Sequence, residues 1–246
     1  MATKNQTEES MVSYTGHNGD SIGAFLVQPI GHGPSPAVIV IEEAFGLVEH
    51  IKEVARHFAN QGYVALAPEL YSREGPPDPN DMSTVMPKMM SLPDVQAIAD
   101  LEGATRYLNG LSSTSNKIGV IGFCSGGRQS LMFACNSTNI NAAVDCYGGF
   151  IIQSEPTKAR PVAPISMVEN LNCPLLGLFG EEDQNPSSED ISKLGSILTE
   201  NGKVFEFHSY PDAGHGFFAD YRPSYNEEVA NDAWGRVFEW FGRYLV

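Results

Sequence analysis

The chain reads as a single α/β domain: a mostly parallel central sheet, an antiparallel hairpin at one edge, helices on both faces and no large cap domain. Three observations predict this. Apolar runs too continuous for half-exposed strands alternate with stretches of helical spacing, the pattern of a sheet covered on both sides. The first two strand-like runs have no helix between them, so they pair as a hairpin. No linker, repeat or low-complexity stretch divides the 246 residues, a length that one such domain accommodates.

In chain order, the polar segment Met1 to Ser10 reads as a flexible tail, with the domain running from 11 to 246. Met11–Tyr14 and Ile22–Gln28 are strands joined through Gly16-His17-Asn18-Gly19-Asp20, a turn composition. AVIVIE (37–42) is a buried strand. Val48–Asn60 is a helix, with Val48, Ile51, Val54, Ala55 and Phe58 on one face. Tyr63–Ala67 is a strand. Leu70–Leu92, rich in Pro, Gly, Asp and Met, reads as an irregular excursion. Asp94–Leu108 is helical, Ile118–Phe123 a strand, Arg128–Cys135 a helix and Ala142–Tyr147 a strand. Gly148 to Asn172 is irregular. Pro174–Phe179 is a strand, Ser187–Asn201 a helix and Val204–Tyr210 the last strand. Pro211–Phe218 is a loop, and Glu227–Leu245 closes the chain as a helix.

Composition narrows the function. Lys and Arg number 15 against 30 Asp and Glu, a net charge of −15 that disfavours nucleic acid and anionic membrane as partners. Hydrophobic residues make up 42%, enough for a sizeable core. The four cysteines, Cys124, Cys135, Cys146 and Cys173, form no CxxC pair and have no His at zinc-ligand spacing, so free thiols are expected. No basic, then apolar leader opens the chain and no run reaches the roughly 18 apolar residues of a membrane helix, so the expectation is a cytoplasmic protein with a small-molecule substrate.

The chemistry concentrates at Val120-Ile121-Gly122-Phe123-Cys124-Ser125-Gly126-Gly127. A strand runs into Gly-x-Cys-x-Gly-Gly and a helix follows, the layout of a nucleophile elbow, with a thiol in the place of the usual hydroxyl. Taken alone, Cys124 would be an ordinary buried thiol, Asp183 a turn residue or helix cap, and His215 a loop histidine. Together they form a pattern. Each lies just past a strand, where parallel sheets bind ligands, and their order is nucleophile, acid, histidine, that of α/β-hydrolases. His215 would take the thiol proton, and Asp183 would orient the ring. The loop after the strand at 37–42 is placed to supply one oxyanion-hole amide, that of Ala44; Ser125 supplies the other.

The chain resembles the dienelactone hydrolase family over the stretch from about Val12 to the C-terminus. The matching pieces are IEEAFG (41–46), NQGYVALAPELY (60–71), GVIGFCSGG (119–127), YGG (147–149), FGEED (179–183) and YPDAGHGFF (210–218). The resemblance implies an α/β-hydrolase fold with Cys124 as nucleophile, His215 as base and Asp183 as orienting acid. It also implies a carboxylate, Glu43 with Glu42 as the neighbouring alternative, against the resting thiol. Such a carboxylate would disfavour the thiolate by like-charge repulsion. Two arginines that hold the substrate carboxylate in the family correspond to Val85 and Ala219 here, so the substrate class stays open; Arg73 and Arg222 stand nearby. Phe45, Tyr147, Arg73 and Met89 are the expected pocket residues, with the Met-rich stretch 82–90 as an apolar wall or as plain core packing. The implied reaction is cleavage of a carboxylic ester or lactone through a thioester, with no metal or organic cofactor. A non-catalytic or redox-sensing protein on the same scaffold is the alternative.

Overall fold

A computed structural model describes residues 6–31, 33–152 and 155–246. Among them, eight strands are β1 (Thr7–Thr15), β2 (Ser21–Pro29), β3 (Ser35–Ile41), β4 (Val64–Pro68), β5 (Thr114–Phe123), β6 (Ala142–Cys146), β7 (Leu175–Gly180) and β8 (Phe205–Tyr210). Six α-helices are α1 (Glu49–Asn60), α2 (Met82–Ser91), α3 (Asp94–Asn109), α4 (Ser125–Asn136), α5 (Ser188–Glu200) and α6 (Glu227–Leu245). The strands form one sheet in the order β1-β2-β4-β3-β5-β6-β7-β8. β2 pairs antiparallel with both β1 and β4, and every other neighbouring pair is parallel. The expected edge hairpin is therefore present, and β2 alone runs against the rest.

The strand period of two sorts β3 between two cores. Ala37, Ile39 and Ile41 join residues of α3, α4 and α5, including Leu101, Phe133 and Leu194. Val38 and Val40 join α1 and α6, including Phe58, Val237 and Phe241. Both faces are covered, which is why AVIVIE carries no polar alternation. On the second face Phe58 meets Trp234, Phe238 and Phe241 edge-on at 5.4–5.8 Å between ring centres. Burying each such ring contributes roughly 2–3 kcal/mol.

Two expectations need correction. Thr7–Ser10 is not a tail: it pairs with Leu26–Pro29 as the first half of β1. Its mostly exposed TEES sequence hides the strand, because an edge strand held by backbone bonds needs no apolar face. Residues 1–5 of the expected tail lie outside the described residues. The segment 70–92 is not wholly irregular, since α2 occupies Met82–Ser91 despite Pro87. Asp81 caps it, accepting from the Ser83 amide at 3.0 Å.

Chain order puts β4 on one side of β3 and β5 on the other. The crossover direction reverses between them, and a crevice opens beyond the ends of β3 and β5. Among the described residues, no helix is long and apolar enough to cross a membrane.

Candidate active site

At the end of β5 the chain turns into α4 through Cys124, whose φ of 56° and ψ of −117° are unusual for a residue with a side chain. Close backbone contact holds that conformation. The Cys124 amide donates to the Cys146 carbonyl at 3.0 Å, and the Cys124 carbonyl accepts from Gly127 and Arg128. A Cβ on Gly122 would collide with the Gly126 carbonyl, and one on Gly126 would lie 2.5 Å from Glu42 O and 2.6 Å from Ile41 O. The Gly-x-Cys-x-Gly spacing is thus a requirement of packing, and its effect is to raise the thiol, half-buried, at the cavity wall.

Asp183 follows β7, and His215 lies in the loop after β8. The Glu181 amide donates to Tyr210 O and the Glu182 amide to Ala213 O, which ties the two loops together. His215 Nδ1 and Asp183 Oδ2 are 2.7 Å apart, and Asp183 Oδ1 accepts the Asn185 amide at 2.9 Å. Both oxygens of this buried carboxylate are thereby used, so its orientation is held. Burial by itself would lower the His215 pKa. Hydrogen bonds to Asp183 and Cys124 outweigh burial and push it up to about 10. Tyr147, fully buried, backs the imidazole edge-on at 5.2 Å between ring centres.

Ala44 and Ser125 line the same cavity as Cys124 and His215. Neither of their amides has a hydrogen-bond acceptor among the described residues. Of the two neighbouring carboxylates, Glu43 faces Arg222, which lines the cavity, and Glu42 does not. Glu43 Oε2 accepts from the Tyr221 hydroxyl at 2.9 Å, and its Oε1 faces Arg222 Nη1 at 3.7 Å. Glu42 points to the other side and accepts the Leu70 amide at 3.0 Å, with burial pushing its pKa up.

The cavity measures about 300 Å³, within the range of small-ligand sites. Met82, Val85, Met86 and Met89 of α2 form one wall, and Phe45 and Phe150 add aromatic surface. Phe45 and Met89 therefore stand where expected. Tyr147 does not line the cavity; it lies behind His215, packed among Phe123, Phe217 and Phe218. Arg73 is elsewhere, on Asp20 at 2.6 Å and on both oxygens of Asp100 at 2.8 and 3.0 Å. Asp100 is fully buried and requires that counter-charge. Three charged residues that sequence reasoning did not assign to the pocket also line it: Arg128, Arg160 and Arg222. On sequence grounds Arg222 is only a neighbour of the expected clamp position, and the spacing 82, 85, 86, 89 is the helical signal for the wall. Among the described residues, no group of three His, Cys, Asp or Glu side chains is arranged to hold a metal ion.

Comparison with known proteins agrees with this geometry. The dienelactone hydrolase family model matches residues 22–245. A carboxymethylenebutenolidase candidate from Escherichia coli (strain K12) is 38% identical over 232 residues, covering 92% of this chain and 84% of its own. A candidate 2-oxo-3-(5-oxofuran-2-ylidene)propanoate lactonase of a Bradyrhizobium species is 32% identical over 223 residues, covering 90% and 89%. The crystal structure of a candidate dienelactone hydrolase from Klebsiella pneumoniae superposes with a TM-score of 0.91 at 35% identity, covering 98% of this chain and 100% of that one.

Proposed function

This chain belongs to the dienelactone hydrolase family, and from that premise we propose that it cleaves a carboxylic ester or lactone by covalent catalysis at Cys124. The observation that carries the reading is the Asp183–His215 contact of 2.7 Å beside a thiol held at φ 56°, all three residues on one cavity. His215 takes the thiol proton, and the sulfur attacks the carbonyl carbon. The oxyanion forms against the Ala44 and Ser125 amides, both on residues that line the cavity and neither with an acceptor among the described residues. The tetrahedral adduct collapses to a thioester as the alcohol leaves with the proton from His215. Water, deprotonated by His215, attacks the thioester and the acid departs with the thiol restored. Asp183 keeps the imidazole in the tautomer these transfers need. The lactone names of two relatives support a cyclic ester as one substrate type.

The test is hydrolysis of 4-nitrophenyl acetate and of small enol-lactones by the native chain and by Cys124→Ala. The native chain should turn over at least one, and C124A should lose about a thousandfold or more. Equal rates would rule out the thiol mechanism.

A further inference from the structure

The loop after β8 carries more than His215. Past the histidine it folds into short turns, with the Ala219 amide donating to Gly216 O at 3.1 Å and the Arg222 amide to Ala219 O at 2.9 Å. Three consecutive side chains then reach the loop after β3 and the start of α1. Asp220 Oδ1 lies 3.3 Å from His50 Nδ1. The Tyr221 ring tilts against the His50 ring at 5.4 Å between centres, and its hydroxyl donates to Glu43 Oε2 at 2.9 Å. The Arg222 guanidinium lies 5.5 Å from the centre of the Phe45 ring. The segment that follows His215 is thus tied to both ends of the stretch 43–50.

Tyr221 is oriented in an unusual way. The residue is 53% exposed, yet its one side-chain polar atom points inward, to a carboxylate that is fully buried. An exposed tyrosine ordinarily keeps its polar tip in water. The inversion has a cause, because a carboxylate this deeply buried needs a donor. Glu43 Oε1 has no hydrogen-bond partner among the described residues, and Arg222 Nη1, at 3.7 Å, stands beyond hydrogen-bond distance. Partial burial and the Glu43 charge push the Tyr221 pKa up, so the phenol keeps its proton and donates.

The bond to Glu43 bears on the turn around Ala44. Glu43 and Phe45 flank Ala44, and the Gly46 amide closes the turn on Glu43 O at 3.1 Å, with Gly46 at φ 86°. That bond shapes the turn without fixing where it stands relative to Cys124. Contacts from Tyr221 and Arg222 to the two neighbours of Ala44 supply that constraint. Placement matters, since a displacement of about 1 Å in a group that acts on the reacting atoms can cost a hundredfold in rate.

We propose that Tyr221 is a positioning residue: through Glu43 it holds the Ala44 turn, so that the Ala44 amide stands where the oxyanion forms. This rests on the hydrolase reading. One loop then sets the base and an oxyanion donor together, with His215 at one end and Tyr221 at the other.

Tyr221→Phe removes the hydroxyl and keeps the ring. Two reactions of the same thiol are compared at one pH. Hydrolysis of 4-nitrophenyl acetate, or of a small enol-lactone if that ester is not a substrate, passes through an oxyanion; alkylation by iodoacetamide does not. In Y221F the ratio of kcat/KM to the alkylation rate constant should fall about tenfold, with alkylation itself unchanged within about twofold. A tyrosine that only supported the fold or tuned the thiol would move both reactions together. A ratio unchanged within about twofold therefore overturns the proposal, as does a fall that comes from faster alkylation. In a Glu43→Ala background, Y221F should lower the ratio by no more than about twofold, and the same tenfold loss in both backgrounds overturns the route through Glu43. If the native chain hydrolyses neither substrate, the hydrolase reading fails on its own, and Tyr221 is read by hydrogen exchange. Peptides covering 43–51 should then exchange faster in Y221F than in the native chain; equal exchange overturns the proposal.

Discussion

The Cys124 side of the cavity and its α2 side are built by different means. Around Cys124, backbone packs on backbone. Gly122 and Gly126 leave no room for a Cβ, and Asp183 is held by the Asn185 amide through one oxygen and His215 through the other. Opposite stand Met82, Val85, Met86 and Met89, unbranched or small apolar side chains on a helix that contains a proline. Met82 is 57% and Met86 43% exposed, so that wall is only partly packed. The contrast teaches a division of labour. Geometry that must be kept for chemistry rests on the main chain, where substitution has little freedom. On the proposed reading, selection of substrate rests on side chains that can change without unfolding the domain.

That division can be broken at its strong end. Asp183→Asn should keep the fold but lower kcat/KM by about a thousandfold, by releasing the tautomer of His215. The same variant, followed by imidazole NMR, should move the His215 titration from about 10 toward the ordinary 6.5. The sign for stability follows. A histidine raised on folding contributes fully below pH 6.5, and the contribution fades as pH climbs through about 10. D183N should flatten that part of the stability profile, measured by urea unfolding across pH. An unmoved midpoint would mean the Asp183 contact does not set the imidazole charge.

Gly126→Ala tests the backbone half of the comparison. Its Cβ would press on Glu42 O at 2.5 Å and Ile41 O at 2.6 Å, neither of which can rotate away. A loss of about 1–3 kcal/mol in unfolding free energy is expected, with activity falling further than stability because Cys124 moves with its neighbour. A variant with native stability and rate would contradict the packing account.

Effects on the side-chain half should be smaller. Glu43→Gln removes a negative charge that Tyr221 and Arg222 hold beside the site. Alkylation of Cys124 by iodoacetamide should speed up several-fold; an unchanged rate would mean Glu43 does not influence the thiol. Met86→Ala should shift preference among acyl chain lengths a few-fold while changing stability by no more than about 0.5 kcal/mol, since the side chain is 43% exposed.

The same contrast explains what could be read in the sequence. Cys124, Asp183 and His215 each follow a strand directly, so strand pattern and turn composition locate them. Ala44 and Ser125 follow from the same logic. Features fixed by distant partners were hidden. Arg73 looked like a pocket residue until Asp100, 27 positions on, proved to hold it. The prolines at 76, 77, 79 and 87 masked α2, although its apolar spacing was helical. Arg160 sits in a segment with no period at all, placed by contacts such as the Asp94 amide on Ala159 O at 2.8 Å. Thr7–Ser10 was missed because its pairing needs only backbone. Glu42 and Glu43 could not be told apart by composition, and became distinct once their partners, Leu70 on one side and Tyr221 on the other, were in place.

The central claim is that the thiol of Cys124 becomes acylated during turnover. Intact-protein and peptide mass spectrometry after rapid acid quench, during hydrolysis of 4-nitrophenyl acetate, tests it directly. The account predicts a chain heavier by one acetyl group, with the label on the peptide containing Cys124, absent in C124A and lost as substrate is exhausted. Turnover with no acyl group on Cys124, or the same acyl group on another residue, would contradict it.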